Sequence, residues 1–122
     1  MTTAKSFTNN LSYDCIDLTW LNRCVNDYIG DTNLHPSCPL ISPLFEDKLS
    51  GLPRIWVCVG SYEVFLDDIK AFIEKLKQNN VAAELVVEEK NIHDYAAALL
   101  PSRDGAYEKS IRQIGNFLYD QS

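Results

Sequence analysis

Positive charge is scarce in this chain of 122 residues: 11 Lys and Arg stand against 17 Asp and Glu, for a net charge of -6. Holding a phosphate backbone depends on clustered Lys and Arg, so this balance argues against a nucleic-acid partner. Long apolar runs are also lacking. No stretch reaches the ~18 to 20 apolar residues that cross a bilayer. Residues 1–10 are polar, without the charged-then-apolar order of a secretory signal. The expectation is a soluble, untargeted chain, cytoplasmic by default.

Metal-ligand patterns are missing too. The four cysteines, at 15, 24, 38 and 58, include no C-x-x-C pair, and there are two histidines in all. Such spacing offers neither a zinc site nor a His-based centre, so no metal is expected. Cys58 lies within the apolar run 55–59 and reads as a small buried hydrophobe. The pairing of Cys15, Cys24 and Cys38 is left open by the sequence.

What is present is a chain 46% hydrophobic and 23% charged, enough for one core and one domain spanning 1–122. Residues 1–13 read as a flexible lead-in. After Asp14 or Asp17 as N-cap, Leu21, Cys24, Val25 and Tyr28 fall at helical spacing, with Trp20 on the apolar face and Gly30 as a stop. A connector from Asp31 to Pro53 carries Pro36, Pro39, Pro43 and Pro53, which deny backbone donors and extend the residues before them.

Residues 54–60 (RIWVCVG) form an unbroken apolar run ending in Gly, the pattern of a strand covered on both faces. Phe65, Ile69, Phe72, Ile73 and Leu76 then mark one face of a helix. Asp67 and Asp68 lie in its first turn and Lys75 and Lys77 in its last, as the helix dipole favours. Asn79-Asn80 ends it, and residues 81–89 (VAAELVVEE) read as a second strand. This is a βαβ unit with parallel strands and a right-handed crossover. A last amphipathic helix, with Tyr107, Ile111, Ile114 and Leu118 on one face, follows Pro101 and the candidate caps Ser102 and Asp104. It is expected to cover one face of the sheet.

Reactive groups in open α/β sheets sit beyond the carboxyl ends of the strands. Glu63 follows the first strand and His93 the second. A carboxylate and an imidazole on adjacent loops are the acid and base members of a nucleophilic triad. By spacing alone, His93 also reads as a solvated loop residue and Glu63 as a helix-start carboxylate. The nucleophile elbow G-x-S-x-G is absent, for no Ser has Gly two positions before it, and no Gly-rich loop supplies oxyanion donors. Cys58 is mid-strand, and Cys38 has no base beside it. A response-regulator-like or flavin-binding domain fails on position, because Asp67 and Asp68 open a helix seven residues past the strand end. Trp20 and Trp56 read as core or cover residues, His35 as a loop residue facing solvent, and residues 84–89 as the exposed side of a strand and its turn.

The run 41–45 (ISPLF), Leu52-Pro53, the strand with residues 60–68 (GSYEVFLDD), and residues 91–94 (NIHD) together resemble the carboxyl-terminal part of an α/β-hydrolase. More narrowly they resemble hormone-sensitive-lipase-like esterases, and among these the fungal steryl acetyl hydrolases. The match is specific from about Leu34 to Tyr95 and weaker over 17–30, where that family has a helix of its substrate-covering region. The resemblance implies a partial α/β-hydrolase fold, a βαβ unit flanked by helices and lacking the amino-terminal half. It implies Glu63 as triad acid and His93 as base, with Asp67 as the alternative acid, in the hydrolysis of a carboxylic ester such as a sterol ester. It also implies that no cofactor is needed, and an endoplasmic-reticulum location if the chain follows the family. Two departures stand out: Glu replaces the usual Asp, and Asp94 follows the His where Gly is commoner.

Without a nucleophile the chain is expected to be inactive alone. The other reading is a non-catalytic binding or dimerising module, because two strands leave open edges through which the chain could meet a copy of itself or a partner.

Overall fold

A computed structural model describes residues 4–97 and 105–120. Two parallel strands, β1 (Ile55–Gly60) and β2 (Ala83–Glu88), pair in register from Ile55 opposite Ala83 to Gly60 opposite Glu88. Among the described residues there are four helices, α1 (Ser6–Asn9), α2 (Leu18–Ile29), α3 (Leu66–Gln78) and α4 (Ala106–Tyr119), of which α3 and α4 pack on the strands. The connector contains a 3-10 turn at Pro43–Phe45.

The βαβ unit follows from its side chains. Ile55, Val57, Ala83 and Leu85 alternate along the strands and pack against a buried cluster of Leu49, Ile73, Leu76 and Val81. Truncating Ile73 or Leu76, which are 1% and 0% exposed, would cost about 2–5 kcal/mol. Asn80, at φ 60, turns the chain out of α3 into β2. The Pro-rich connector is anchored to α3: Lys75 Nζ donates to the Leu44 carbonyl at 3.0 Å and pairs with Asp47 at 2.9 Å.

On the opposite face of the sheet, α4 meets the other strand side chains, and Lys109 pairs with Glu88 at 2.7 Å. The face it buries differs from the expected one. Ala106 and Ser110 are buried, whereas Ile111 and Leu118 are exposed. Small residues let the helix approach closely, and Ser110 Oγ donates to the Tyr95 hydroxyl at 3.1 Å. Arg54 adds a further tie, donating to the Phe117 carbonyl with its guanidinium 4.2 Å from that ring's centroid. Pro101 and the candidate caps Ser102 and Asp104 lie outside the described residues.

Residues 4–13, within the stretch expected as a flexible lead-in, hold α1, whose Ser6 and Phe7 are buried, and Phe7 joins Ile16 and Val64 in a second apolar cluster. Two other expectations are corrected. Trp20 is 57% exposed and not a core residue, because α2 buries no residue fully. Strand β1 is half-buried over Ile55 to Cys58, Trp56 included, and buried only at Val59 and Gly60. Among the described residues the sheet has two strands, so the covering of β1 is incomplete at its outer edge.

Candidate active site

The parallel pairing brings the carboxyl ends of β1 and β2 side by side, so the loops after them share one edge. Their close approach depends on Gly60. A Cβ at this position would lie 2.1 Å from the Asn91 carbonyl oxygen, so only glycine lets the second loop cross the end of β1. Tyr62 N donates to that same carbonyl at 2.9 Å.

Across this junction Glu63 Oε1 lies 2.9 Å from His93 Nδ1. Glu63 is 5% exposed, and its other carboxylate oxygen accepts from Gly60 N at 3.4 Å. The carboxylate does not cap α3; it points across to the imidazole. A carboxylate facing Nδ1 favours the tautomer whose proton sits there, with Nε2 as the lone-pair nitrogen. Phe65 sets its ring edge-on to the imidazole, with centroids 5.7 Å apart. Asp94 Oδ2 lies 3.5 Å from Nε2 on the exposed side.

Asp67 is not brought to the imidazole. Its carboxylate accepts from Ser6 N at 2.8 Å, while Ser6 Oγ accepts from Asp67 N at 3.1 Å and donates to the Val64 carbonyl at 2.8 Å. The alternative acid is thus spent on docking α1.

Among the described residues, no group of three or more His, Cys, Asp or Glu is arranged to hold a metal ion. A cavity of about 340 Å³ opens beside Glu63, lined also by Cys58, Asp94, Tyr95 and Ile114. Burial pushes the Cys58 thiol above its ordinary value, which leaves it a poor nucleophile at neutral pH. Burial also pushes the Tyr95 hydroxyl up to about 12, opposed by the hydrogen bond from Ser110.

This arrangement of acid, helix, strand and base can be set beside known proteins. The alpha/beta hydrolase fold family matches residues 1–97. The chain belongs to that family. It is 40% identical over 80 residues to an esterase of Acinetobacter venetianus, covering 65% of this chain and 26% of the relative. It is 26% identical over 69 residues to the carboxylic ester hydrolase LipN of Mycobacterium tuberculosis, covering 57% of this chain and 18% of that one. Among solved structures, an esterase from the bacterial hormone-sensitive lipase family superposes with a TM-score of 0.84 at 35% identity, covering 98% of this chain and 39% of its own. A hormone-sensitive lipase from a metagenome library gives 0.85 at 26% identity, covering 98% and 40%. The chain therefore has part of the alpha/beta hydrolase fold and spans well under half the length of these relatives.

Within this hydrolase-fold segment, one carboxylate has a role that its place as a candidate N-cap of α2 does not disclose. Asp14 serves as no helix cap, since Asp17 caps α2 by accepting from Trp20 N at 2.9 Å. Instead Asp14 accepts from Val64 N at 2.7 Å and from His93 N at 3.0 Å. These partners are 50 and 79 residues away in sequence, and no local pattern announces them.

Proposed function

We propose that the chain carries the acid and base of a carboxylic ester hydrolase, with Glu63 orienting His93. The observation that carries this reading is the contact of 2.9 Å between a buried carboxylate and Nδ1 of a half-buried imidazole at the carboxyl ends of two parallel strands. In a completed site a serine hydroxyl attacks the ester carbonyl as His93 Nε2 takes its proton. The same nitrogen returns the proton to the leaving alcohol. Glu63 keeps the ring in the productive tautomer and stabilises the imidazolium as it forms. No G-x-S-x-G elbow and no Gly-rich loop occur among the 122 residues, which supports the reading that this chain alone does not turn over an ester.

The substrate class within this reading is a short-chain acetyl ester, and a sterol acetate by the resemblance of residues 34–95 to steryl acetyl hydrolases. A cleft of about 430 Å³ is lined by Phe7, Leu21, Val25, Phe45, His35 and Asp68, and also by Phe65, whose ring meets the His93 imidazole edge-on. The test has two arms. The purified chain is expected to hydrolyse an acetyl ester no faster than its His93→Ala variant; saturable turnover that depends on His93 would overturn the claim of inactivity. Grafted in place of the matching segment of a bacterial hormone-sensitive-lipase-family esterase, it should support turnover that His93→Ala lowers at least 1000-fold, about 4 kcal/mol of transition-state stabilisation.

A second reading, a binding or dimerising module, is favoured by the outer edge of β1. Backbone N–H groups of Trp56 and Cys58 point away from β2 there, a template for another strand. A strictly monomeric species at high concentration would count against it.

A further inference from the structure

We infer that Asp14 is a positioning residue that sets the two loops of the Glu63–His93 pair against each other, an inference that rests on the acid–base reading above. One oxygen of this carboxylate holds the acid loop and the other holds the base loop: Oδ2 accepts from Val64 N at 2.7 Å, and Oδ1 accepts from His93 N at 3.0 Å. Oδ1 also accepts from Cys15 N at 2.7 Å, which fixes the carboxylate on its own backbone. Val64 immediately follows Glu63, and the second bond is to the backbone of His93 itself. A rigid planar group thus spans the gap that the Glu63–His93 hydrogen bond must close.

The rest of the amino-terminal segment supports the same loop. Asn10 Nδ2 donates to the Glu63 carbonyl at 2.8 Å and to the Ser61 carbonyl at 3.1 Å, and Ser6 Oγ donates to the Val64 carbonyl. Ser6 and Asn10 thus hold the acid loop, while Asp14 holds both loops. Charge-assisted bonds from backbone N–H groups to a carboxylate are short and strong. Paired groups in a catalytic constellation must be held within about 0.5 Å of their productive geometry. Removing one of the two bonds frees one loop relative to the other without emptying a core position.

Asp14→Asn tests this in the full chain, because the amide keeps the shape but turns an NH2 toward one of the two backbone donors. The readout is the His93 Nδ1 proton in NMR spectra, through its exchange rate with water. In the parent chain it is expected as a resolved, protected signal that Glu63→Ala removes. Asp14→Asn should speed its exchange at least tenfold while helical circular dichroism and cooperative urea unfolding persist. Asp17→Ala, which strips the cap from α2 but touches neither loop, should leave it protected. Unchanged exchange in Asp14→Asn overturns the inference, and so does equal loss in Asp17→Ala, which would mark a general loss of stability. Should Asp14→Asn fail to fold, Asp14→Glu keeps the charge and displaces the carboxylate by one methylene: faster exchange supports the inference and unchanged exchange overturns it. A signal that survives Glu63→Ala defeats the acid–base reading and this inference together, whereas loss in Glu63→Ala alone defeats only the role of Asp14.

Discussion

Glu63 and His93, 30 residues apart, meet at 2.9 Å because Gly60 lets the loop after β2 cross the end of β1. The carboxylate reaches the imidazole from a buried position, so the contact is little screened by solvent.

Replacing Gly60 with Ala should therefore be costly. The added Cβ would sit 2.1 Å from the Asn91 carbonyl oxygen, a backbone atom that cannot swing aside. A loss of about 3 kcal/mol is expected, of the size seen when a packed site is overfilled. Urea unfolding checks it, and an unchanged midpoint would mean the two loops are not held this close.

Much of the frame behind this junction is readable in the sequence. The shift from an unbroken apolar run to 3.6-residue spacing and back marks β1, α3 and β2, and the parallel order puts Glu63 and His93 on one edge. Asp17 as the cap and Gly30 as the stop of α2 are local signals. What stays hidden is non-local. An apolar stripe says which residues share a face but not whether anything covers it, which is why Trp20 is exposed. The buried face of α4 is built on Ala106 and Ser110, residues too small to stand out in an apolar pattern. Asp94, at φ 55, fills a left-handed position that favours Gly, a conformation that spacing does not disclose.

Stability should fall in the alkaline range. Tyr95 ionises at about 12 when folded, against an ordinary value of 10.0, because burial disfavours the phenolate. A raised folded value means its contribution is fully present below pH ~10 and is lost as pH rises toward ~12. The stability of the parent chain relative to Tyr95→Phe, which has no hydroxyl to ionise, should be constant near pH 8 and fall over that window as the buried phenolate forms. A constant difference across pH 8 to 12 would contradict the assignment.

Cys58 should resist alkylation while the chain is folded. Burial raises its thiol, with a hydrogen bond to Tyr95 acting the other way. At pH 8 iodoacetamide should modify it at least tenfold more slowly than in urea-unfolded chain, as read by peptide mass spectrometry. Equal rates would show a thiolate available at the cavity lip.

We propose that Glu63, and not Asp67, is the acid that serves His93. In the grafted esterase, kcat for hydrolysis of a short-chain acetyl ester should be compared between Glu63→Gln and Asp67→Asn. Glu63→Gln is expected to lower kcat at least 100-fold, about 3 kcal/mol, while Asp67→Asn lowers stability through its bond to Ser6 but keeps kcat within about threefold. A larger loss of kcat in Asp67→Asn than in Glu63→Gln would contradict it.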